Sequence, residues 1–254
     1  MMKSLQFEKE YKIHVYETGP DGRLTLFSLF NFLQDIAGEQ AAILGFGRDD
    51  LLRQNHFWVL SRMLTKISLW PDWGQSIIVK TWPRGTEKIF ALRDFEICFP
   101  DGSHIASATS SWLVVDRDTK RIQRPDDLLT RYNSGVPVKN ALGRNAGKLE
   151  PSSYDGKTGE VFRVKTSDLD INLHTNNVRY IKWVTDTYNL DFTMSHAPAS
   201  VEINYLAESK WGEEVHIRTS SEENNGLSYN HSVVRNVDKN DLCRIRIEWK
   251  GCDH

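Results

Sequence analysis

The chain has 254 residues, 39% of them hydrophobic and 26% charged, with a formal net charge of −2 and a pI of about 6.5. That length holds one large domain or two modest ones, and the apolar share supports a packed core rather than a disordered polymer. A near-neutral charge argues against a general nucleic-acid binder, and no apolar run approaches the roughly 20 residues of a membrane span. Three widely spaced cysteines (Cys98, Cys243 and Cys252) match neither a disulfide framework nor zinc-ligand spacing. The opening stretch, MMKSLQFEKEYKIHVYE, has no apolar segment of the kind a signal peptide needs. The expectation is a reduced, cytoplasmic protein without metal or organic cofactor.

Along the chain, Leu26, Leu29, Phe30, Leu33, Ala37, Ala41 and Leu44 recur at steps of three and four, which predicts an amphipathic helix ended by Gly45 and Gly47. Four strand-like runs follow, Phe57–Ser68, Ser76–Trp82, Lys88–Phe99 and Ile105–Asp116, with Pro100-Asp101-Gly102 as a turn. Ser134–Asp155 is rich in Gly, Asn, Pro, Ser and Lys and lacks periodicity, as a linker does. A second, shorter apolar stripe runs through Val178, Ile181, Val184 and Tyr188, with Thr175 or Asn176 as N-cap. Strand-like runs then return at Val201–Glu208, Glu214–Ser221, Leu227–Val237 and Leu242–Lys250.

The two halves repeat each other. Trp73-Gly74-Gln75-Ser76-Ile77-Ile78-Val79-Lys80-Thr81 and Trp211-Gly212-Glu213-Glu214-Val215-His216-Ile217-Arg218-Thr219 both read W-G-x-x-I/V-x-V/I-K/R-T, 138 positions apart, and Trp112 and Trp249 recur 137 apart. One helix followed by long antiparallel strands, twice, predicts an α+β double hot-dog: two tandem repeats, each a sheet wrapped on a central helix, forming a pseudo-dimer. The domain boundaries are set at 1–133, a linker at 134–158, and 159–254.

The run Asp168-Leu169-Asp170-Ile171-Asn172-Leu173-His174-Thr175-Asn176-Asn177 precedes the second helix. Read as extended backbone, it places Asp170, Asn172 and His174 on one face and the aliphatic residues on the other. The helix start adds unpaired backbone N–H groups at Asn176 and Asn177, suited to an oxyanion. A carboxylate, an amide, an imidazole and such donors are the parts for acyl transfer to water. The same residue types also build ordinary caps and turns, so the residues alone leave capping and catalysis both open. Glu208, by itself, is a strand-end carboxylate.

These residues bring in a family. Tyr16-Glu17, Asn31-Phe32-Leu33-Gln34-Asp35, Trp58-Val59-Leu60-Ser61-Arg62-Met63, Pro71-Asp72-Trp73-Gly74, Val79-Lys80-Thr81-Trp82, Arg93-Asp94, Ala108-Thr109-Ser110-Ser111-Trp112 and, above all, Asp168 to Ile181 resemble the motifs of the acyl-acyl carrier protein thioesterases, plant plastid enzymes with bacterial relatives. The resemblance spans nearly the whole chain. It implies a double hot-dog fold and release of free fatty acid from fatty acyl-carrier protein. It implies that Asp170, Asn172 and His174 fall on the family's catalytic Asp, Asn and His, and Glu208 on the Glu of its Y-R-R-E-C stretch. Here that stretch reads Tyr205-Leu206-Ala207-Glu208-Ser209, so the family's Cys is Ser209 and its Arg pair is Leu206-Ala207; a later Asp is Gly212.

A serine hydroxyl needs strong activation, so direct attack by water is preferred over a Ser209–His174 acyl-enzyme, with Glu208 or Asp170 as base. Asp21-Gly22-Arg23-Leu24-Thr25, before the first helix, lacks the Asn and His, so one active site per chain is expected, with the first half shaping the acyl pocket. Trp58, Leu60 and Met63 are its candidate lining, although core packing explains them equally well. The acidic carrier, a transient partner, calls for local positive surface. Arg117, Lys120, Arg121 and Arg124 form one such cluster; Lys139, Arg144 and Lys148 form another. An acyl-coenzyme A thioesterase and a non-catalytic acyl- or carrier-binding module are the competing readings, and the oligomeric state, a homodimer included, stays open.

Overall fold

The structure is a computed structural model that describes residues 5–125, 139–151, 159–221 and 227–252. The chain divides into two compact units. The first comprises Met1–Leu24 and Ser28–Ala146, the second Thr25–Phe27 and Gly147–His254.

The first unit opens with β1 (Phe7–Lys12) and then the long helix α1 (Leu26–Ile43). Leu29, Phe30, Leu33, Ile36 and Ala37 are buried, following the predicted stripe. The helix stops as expected: Gly45 takes φ +80°, Phe46 N–H donates to Ala41 O (3.0 Å) and Gly45 N–H to Ala42 O (3.1 Å), a Schellman end. Gly47 is fixed by a different constraint, because a Cβ there would lie 2.7 Å from Ala42 Cα. A short helix α2 (Arg48–Arg53) leads into β2 (His56–Ile67), β3 (Ser76–Glu87), β4 (Phe90–Cys98), β5 (His104–Asp116) and the short β6 (Ile122–Gln123). Pairing is antiparallel in the order β1-β3-β4-β5-β2, with β6 on β5. The helix reaches both ends of that order: Phe32 stacks on Tyr11 of β1 (4.5 Å), and Ala41 and Phe46 share a buried cluster with Trp58 of β2. A sheet whose first and last strands both touch one helix is curled around it.

The second unit repeats this plan with β7 (Val161–Arg163), α3 (Asn177–Asp186), α4 (Leu190–Ser195), β8 (His196–Tyr205), β9 (Glu214–Ser221), β10 (Ser228–Arg235) and β11 (Asp241–Gly251). The strand order is β8-β11-β10-β9-β7, and α3 again touches both ends, Tyr180 against Tyr205 (6.2 Å) and Trp183 against Phe162 (6.1 Å). The double hot-dog expectation therefore holds.

The predicted linker is not free where it is described. In the first unit Trp82 Nε1–H donates to Lys139 O (2.8 Å), and Ala141 N–H donates to the buried Asp94 carboxylate (2.9 Å), which also pairs with Arg84 (3.0 Å). In the second, Gly147 N–H meets Glu202 (2.5 Å), Leu149 N–H meets Asn204 (2.8 Å), and Arg244 reaches Leu149 O (2.9 Å). Its residues 134–138 and 152–158 lie outside the described residues.

Behind α3, His231 is buried, with Tyr188 OH at its Nε2 (2.8 Å) and Thr219 Oγ1 at its Nδ1 (2.9 Å); Trp249 Nε1–H donates to the same phenol (3.1 Å). Neutral imidazole satisfies both neighbours, and burial pushes its pKa down to about 3. The unfolded chain binds this proton below pH ~6.5 and the folded chain does not, so the stabilisation is complete above that pH and is lost progressively as pH falls towards 3. By pH ~4.5 the loss amounts to about 2–3 kcal/mol. Thermal midpoints measured from pH 7 to 4 should fall less steeply for His231→Asn than for the parent, although the variant starts lower; parallel curves would sink this account.

Candidate active site

The 3-10 turn Thr166–Asp168 leads into residues 169–175, which fold back on themselves instead of extending. Leu169 and Thr175 bridge, Asp170 N–H donates to His174 O (2.8 Å), and Leu173 N–H donates to Asp170 O (3.1 Å). The Asp170 carboxylate organises the reversal. Its Oδ1 accepts the N–H groups of Asn172 (2.8 Å) and His174 (3.2 Å), and its Oδ2 accepts from Asn172 Nδ2 (3.3 Å). The extended reading of this run is corrected accordingly: Ile171 and Leu173 anchor nothing and are 75% and 72% exposed.

The turn is held from below by the segment after β8. Thr175 N–H donates to Ser209 O (2.9 Å), and His174 bridges Lys210. That register brings Glu208 Oε2 to 3.2 Å from His174 Nε2, with both side chains partly open to solvent. A neutral His174 then carries its proton on Nε2, donated to the carboxylate. Arg235 holds the Glu208 backbone through its carbonyl (2.5 Å) while pairing with Glu213 and Asp238. Glu208 Oε1 has no partner among the described residues, whereas all three hydrogen bonds of the Asp170 carboxylate lie inside its own turn.

Ser209 faces the other way. It is fully buried, and its hydroxyl meets Thr175 Oγ1 (2.7 Å) and Tyr180 OH (2.9 Å), with no bond to His174 among the described residues. At the helix foot, Asn176 is the N-cap, its side chain accepting Val178 N–H (3.2 Å). Its own N–H donates to Asp168 O (2.8 Å), so the expectation that Asn176 offers an oxyanion donor is not met. Asn177, the first helical residue, has an N–H without an acceptor among the described residues.

The structure thus gathers Asp170, Asn172, His174 and Glu208 in the second unit. Trp58, Leu60 and Met63 lie on β2 of the first, where Trp58 Nε1–H donates to Phe46 O (2.8 Å) and the other two are buried. The hydroxyls of Thr175 and Tyr180 were not singled out from sequence. Both stand in the motif around His174, yet only the fold reveals that they converge on Ser209.

The first unit carries the same turn with different side chains. Val15–Glu17 is its 3-10 turn, Thr18 and Leu24 bridge, Gly19 N–H donates to Arg23 O (2.8 Å), and Leu24 N–H donates to Pro71 O (2.8 Å). Residue by residue, Gly19, Asp21, Gly22, Arg23 and Pro71 stand where the second unit has Asp170, Asn172, Leu173, His174 and Ser209.

The profile of the acyl-ACP thioesterase N-terminal domain matches residues 4–132, and that of the C-terminal domain matches residues 152–251. The chain belongs to the acyl-ACP thioesterase family. An oleoyl-acyl carrier protein thioesterase of Coriandrum sativum is 28% identical over 235 residues, 86% of this chain and 63% of that protein. An acyl-carrier-protein hydrolase of Cuphea viscosissima is also 28% identical, over 94% of this chain and 60% of its own length. The chain spans about three-fifths of the length of these plant relatives. Among solved structures, an acyl-ACP thioesterase from Bacteroides thetaiotaomicron superposes with a TM-score of 0.88 at 24% identity, covering 97% of this chain and 98% of that one. The 12:0-ACP thioesterase of Umbellularia californica gives 0.82 at 25% identity, over 99% and 100%.

Leu173 tests the cost of the turn. It takes φ +63° where the first unit has Gly22 at φ +77°, and a leucine in the left-handed region costs about 1–2 kcal/mol. Its exposed side chain recovers little of that by burial. Leu173→Gly should raise stability by about 0.5–1 kcal/mol, a rise of about 1–4 °C in Tm for a chain of this size, read by calorimetry. A fall in Tm would mean that the leucine side chain is held by packing.

Proposed function

We propose that this chain hydrolyses the thioester of fatty acyl-acyl carrier protein and releases the free fatty acid. The observation that carries the reading is the Glu208–His174 pair at 3.2 Å beside the Asp170–Asn172 turn, within a segment matched by the family profile. The names of the plant relatives support the substrate class. A cytoplasmic setting is part of the same reading, supported by the buried, non-disulfide thiols of Cys98 and Cys243; among the described residues no helix is long and apolar enough to cross a membrane.

In this mechanism Glu208 is the base, because one of its oxygens is open while the carboxylate of Asp170 is engaged in shaping the turn. A water oxygen attacks the thioester carbon as its proton passes to Glu208 Oε1. His174, held on the other carboxylate oxygen, orients the base. Asn172 Nδ2, which has a second hydrogen to donate, and the Asn177 N–H face the developing oxyanion. Collapse of the tetrahedral intermediate breaks the carbon–sulfur bond, and the proton on Glu208 goes to the departing thiolate. The buried Ser209 stays a hydroxyl throughout.

Thiol release should be faster from acyl-carrier protein than from acyl-coenzyme A. Glu208→Gln and His174→Ala should each lower kcat by about 10²–10⁴-fold. Mass spectrometry of the slowed Glu208→Gln protein should find no acyl adduct. An acyl group on Ser209 would replace this mechanism with an acyl-enzyme, and acyl-carrier binding without turnover would make the chain a binding module.

Arg117, Lys120, Arg121 and Arg124 are exposed around the β5–β6 turn, whereas Lys139 is already paired with Glu96 (2.6 Å). Arg144 and Lys148 are exposed as well. The first cluster is the better candidate for an acidic carrier. Reversing Arg117, Lys120 and Arg121 to Glu should raise KM for the carrier-bound substrate and flatten its salt dependence, with KM for the coenzyme A substrate unchanged. An unaltered carrier KM would remove the cluster from the docking surface.

A further inference from the structure

We propose that Tyr180, acting with Thr175 through the buried Ser209, is a positioning residue that sets the spacing of Glu208 against His174. This rests on the hydrolase reading above. The four protons in the cluster have one consistent arrangement. Ser209 N–H donates to Tyr180 OH (3.1 Å), and Thr175 O–H donates to Ser209 O (3.1 Å). With the threonine proton committed, the short contact between the two hydroxyls (2.7 Å) must be Ser209 O–H donating to Thr175 Oγ1. Tyr180 O–H therefore donates to Ser209 Oγ (2.9 Å). The circuit closes with every donor used, in a site where an unmade hydrogen bond would be costly. Burial pushes the Tyr180 pKa up to about 12, which keeps its proton in place for this task.

The cluster ties three pieces of backbone together: the helix foot, the turn at Thr175 and the loop after β8 at Ser209. Thr175 follows His174, and Ser209 follows Glu208. Any slip between the two segments would be transmitted directly to the 3.2 Å contact between imidazole and carboxylate.

The internal repeat shows that the fold does not need these hydroxyls. In the first unit the matching positions are Leu24, Leu29 and Pro71, all buried, and the backbone bond from Leu24 N–H to Pro71 O is retained at 2.8 Å. Apolar side chains suffice there to pack the helix foot on the strand loop. The hydroxyl circuit occurs only in the copy that carries Asp170, Asn172, His174 and Glu208.

Tyr180→Phe removes one oxygen and keeps the ring packed on Trp183 (5.5 Å) and Tyr205 (6.2 Å). It should lower kcat by about 10–100-fold with KM within about two-fold, since a displacement of an ångström at the chemistry has that scale of effect. Thr175→Ser should restore the rate that Thr175→Val loses. The imidazole ¹⁵N signals of His174 at fixed pH should move in Tyr180→Phe in the same direction as in Glu208→Gln. Unchanged His174 signals in Tyr180→Phe, or no rescue of Thr175→Val by Thr175→Ser, would overturn the assignment. The NMR readout needs no turnover: if the parent protein hydrolyses nothing, the functional reading fails while the signals still decide whether Tyr180 sets the pair.

Discussion

Each unit of this protein depends on a shared backbone hydrogen bond, from the N–H just ahead of the central helix to a carbonyl at the start of the W-G turn: Thr175 to Ser209 in the second unit, Leu24 to Pro71 in the first. It fixes where the helix foot meets the strand loop, and because it uses only main-chain atoms it makes no demand on the side chains around it. The residues flanking it were therefore free to differ between the copies. One copy carries leucines and a proline there and is a packed scaffold. The other carries hydroxyls on the buried side and an acid, an amide and an imidazole on the open side.

The separation of those two sides follows from the local backbone. Around Ser209 successive side chains alternate, with Glu208 and Lys210 exposed and Ser209 buried between them. Under the proposed function, a carboxylate that exchanges a proton with water benefits from the open side. A hydroxyl that must hold a geometry benefits from the buried side, where its bonds are not competed away by solvent. Ser209 in such a position is buried and bonds to Thr175 and Tyr180.

What could be seen in the sequence divides along physical lines. The helices were visible as spacing, and Asn176 as the cap of α3 was visible because a cap is a local signal. Most long strands stood out through β-branched and aromatic content. β1, reading Phe-Glu-Lys-Glu-Tyr-Lys, was hidden because charges alternate with two aromatics and none of its residues is fully buried. The helices α2 and α4, six residues each, are too short to show a period. The run from Asp170 to His174 alternates like a strand yet forms a turn, since the Asp170 carboxylate satisfies the reversed N–H groups and Leu173 adopts a conformation that a leucine gives no sign of accepting. The alternation there was real in sequence but was outweighed by side-chain to backbone bonding.

That turn also separates the roles of two carboxylates that look equivalent on paper. Asp170 accepts three hydrogen bonds from residues two and four positions ahead, so its charge is spent on holding Asn172 and His174 in place. Glu208 arrives from a distant segment and keeps an oxygen free. The first unit makes the same reversal with Gly19 and Gly22 at the positions of Asp170 and Leu173, and there Asp21 accepts the Arg23 N–H (3.1 Å), so the backbone path does not require its carboxylate at the position of Asp170. An acid at position 170 is thus explained by what it orders, and an acid at position 208 by what it leaves open. Side-chain bonding in the second unit stands where the first unit relies on glycine, and under the proposed function the residues that fix the turn also orient the groups facing the substrate.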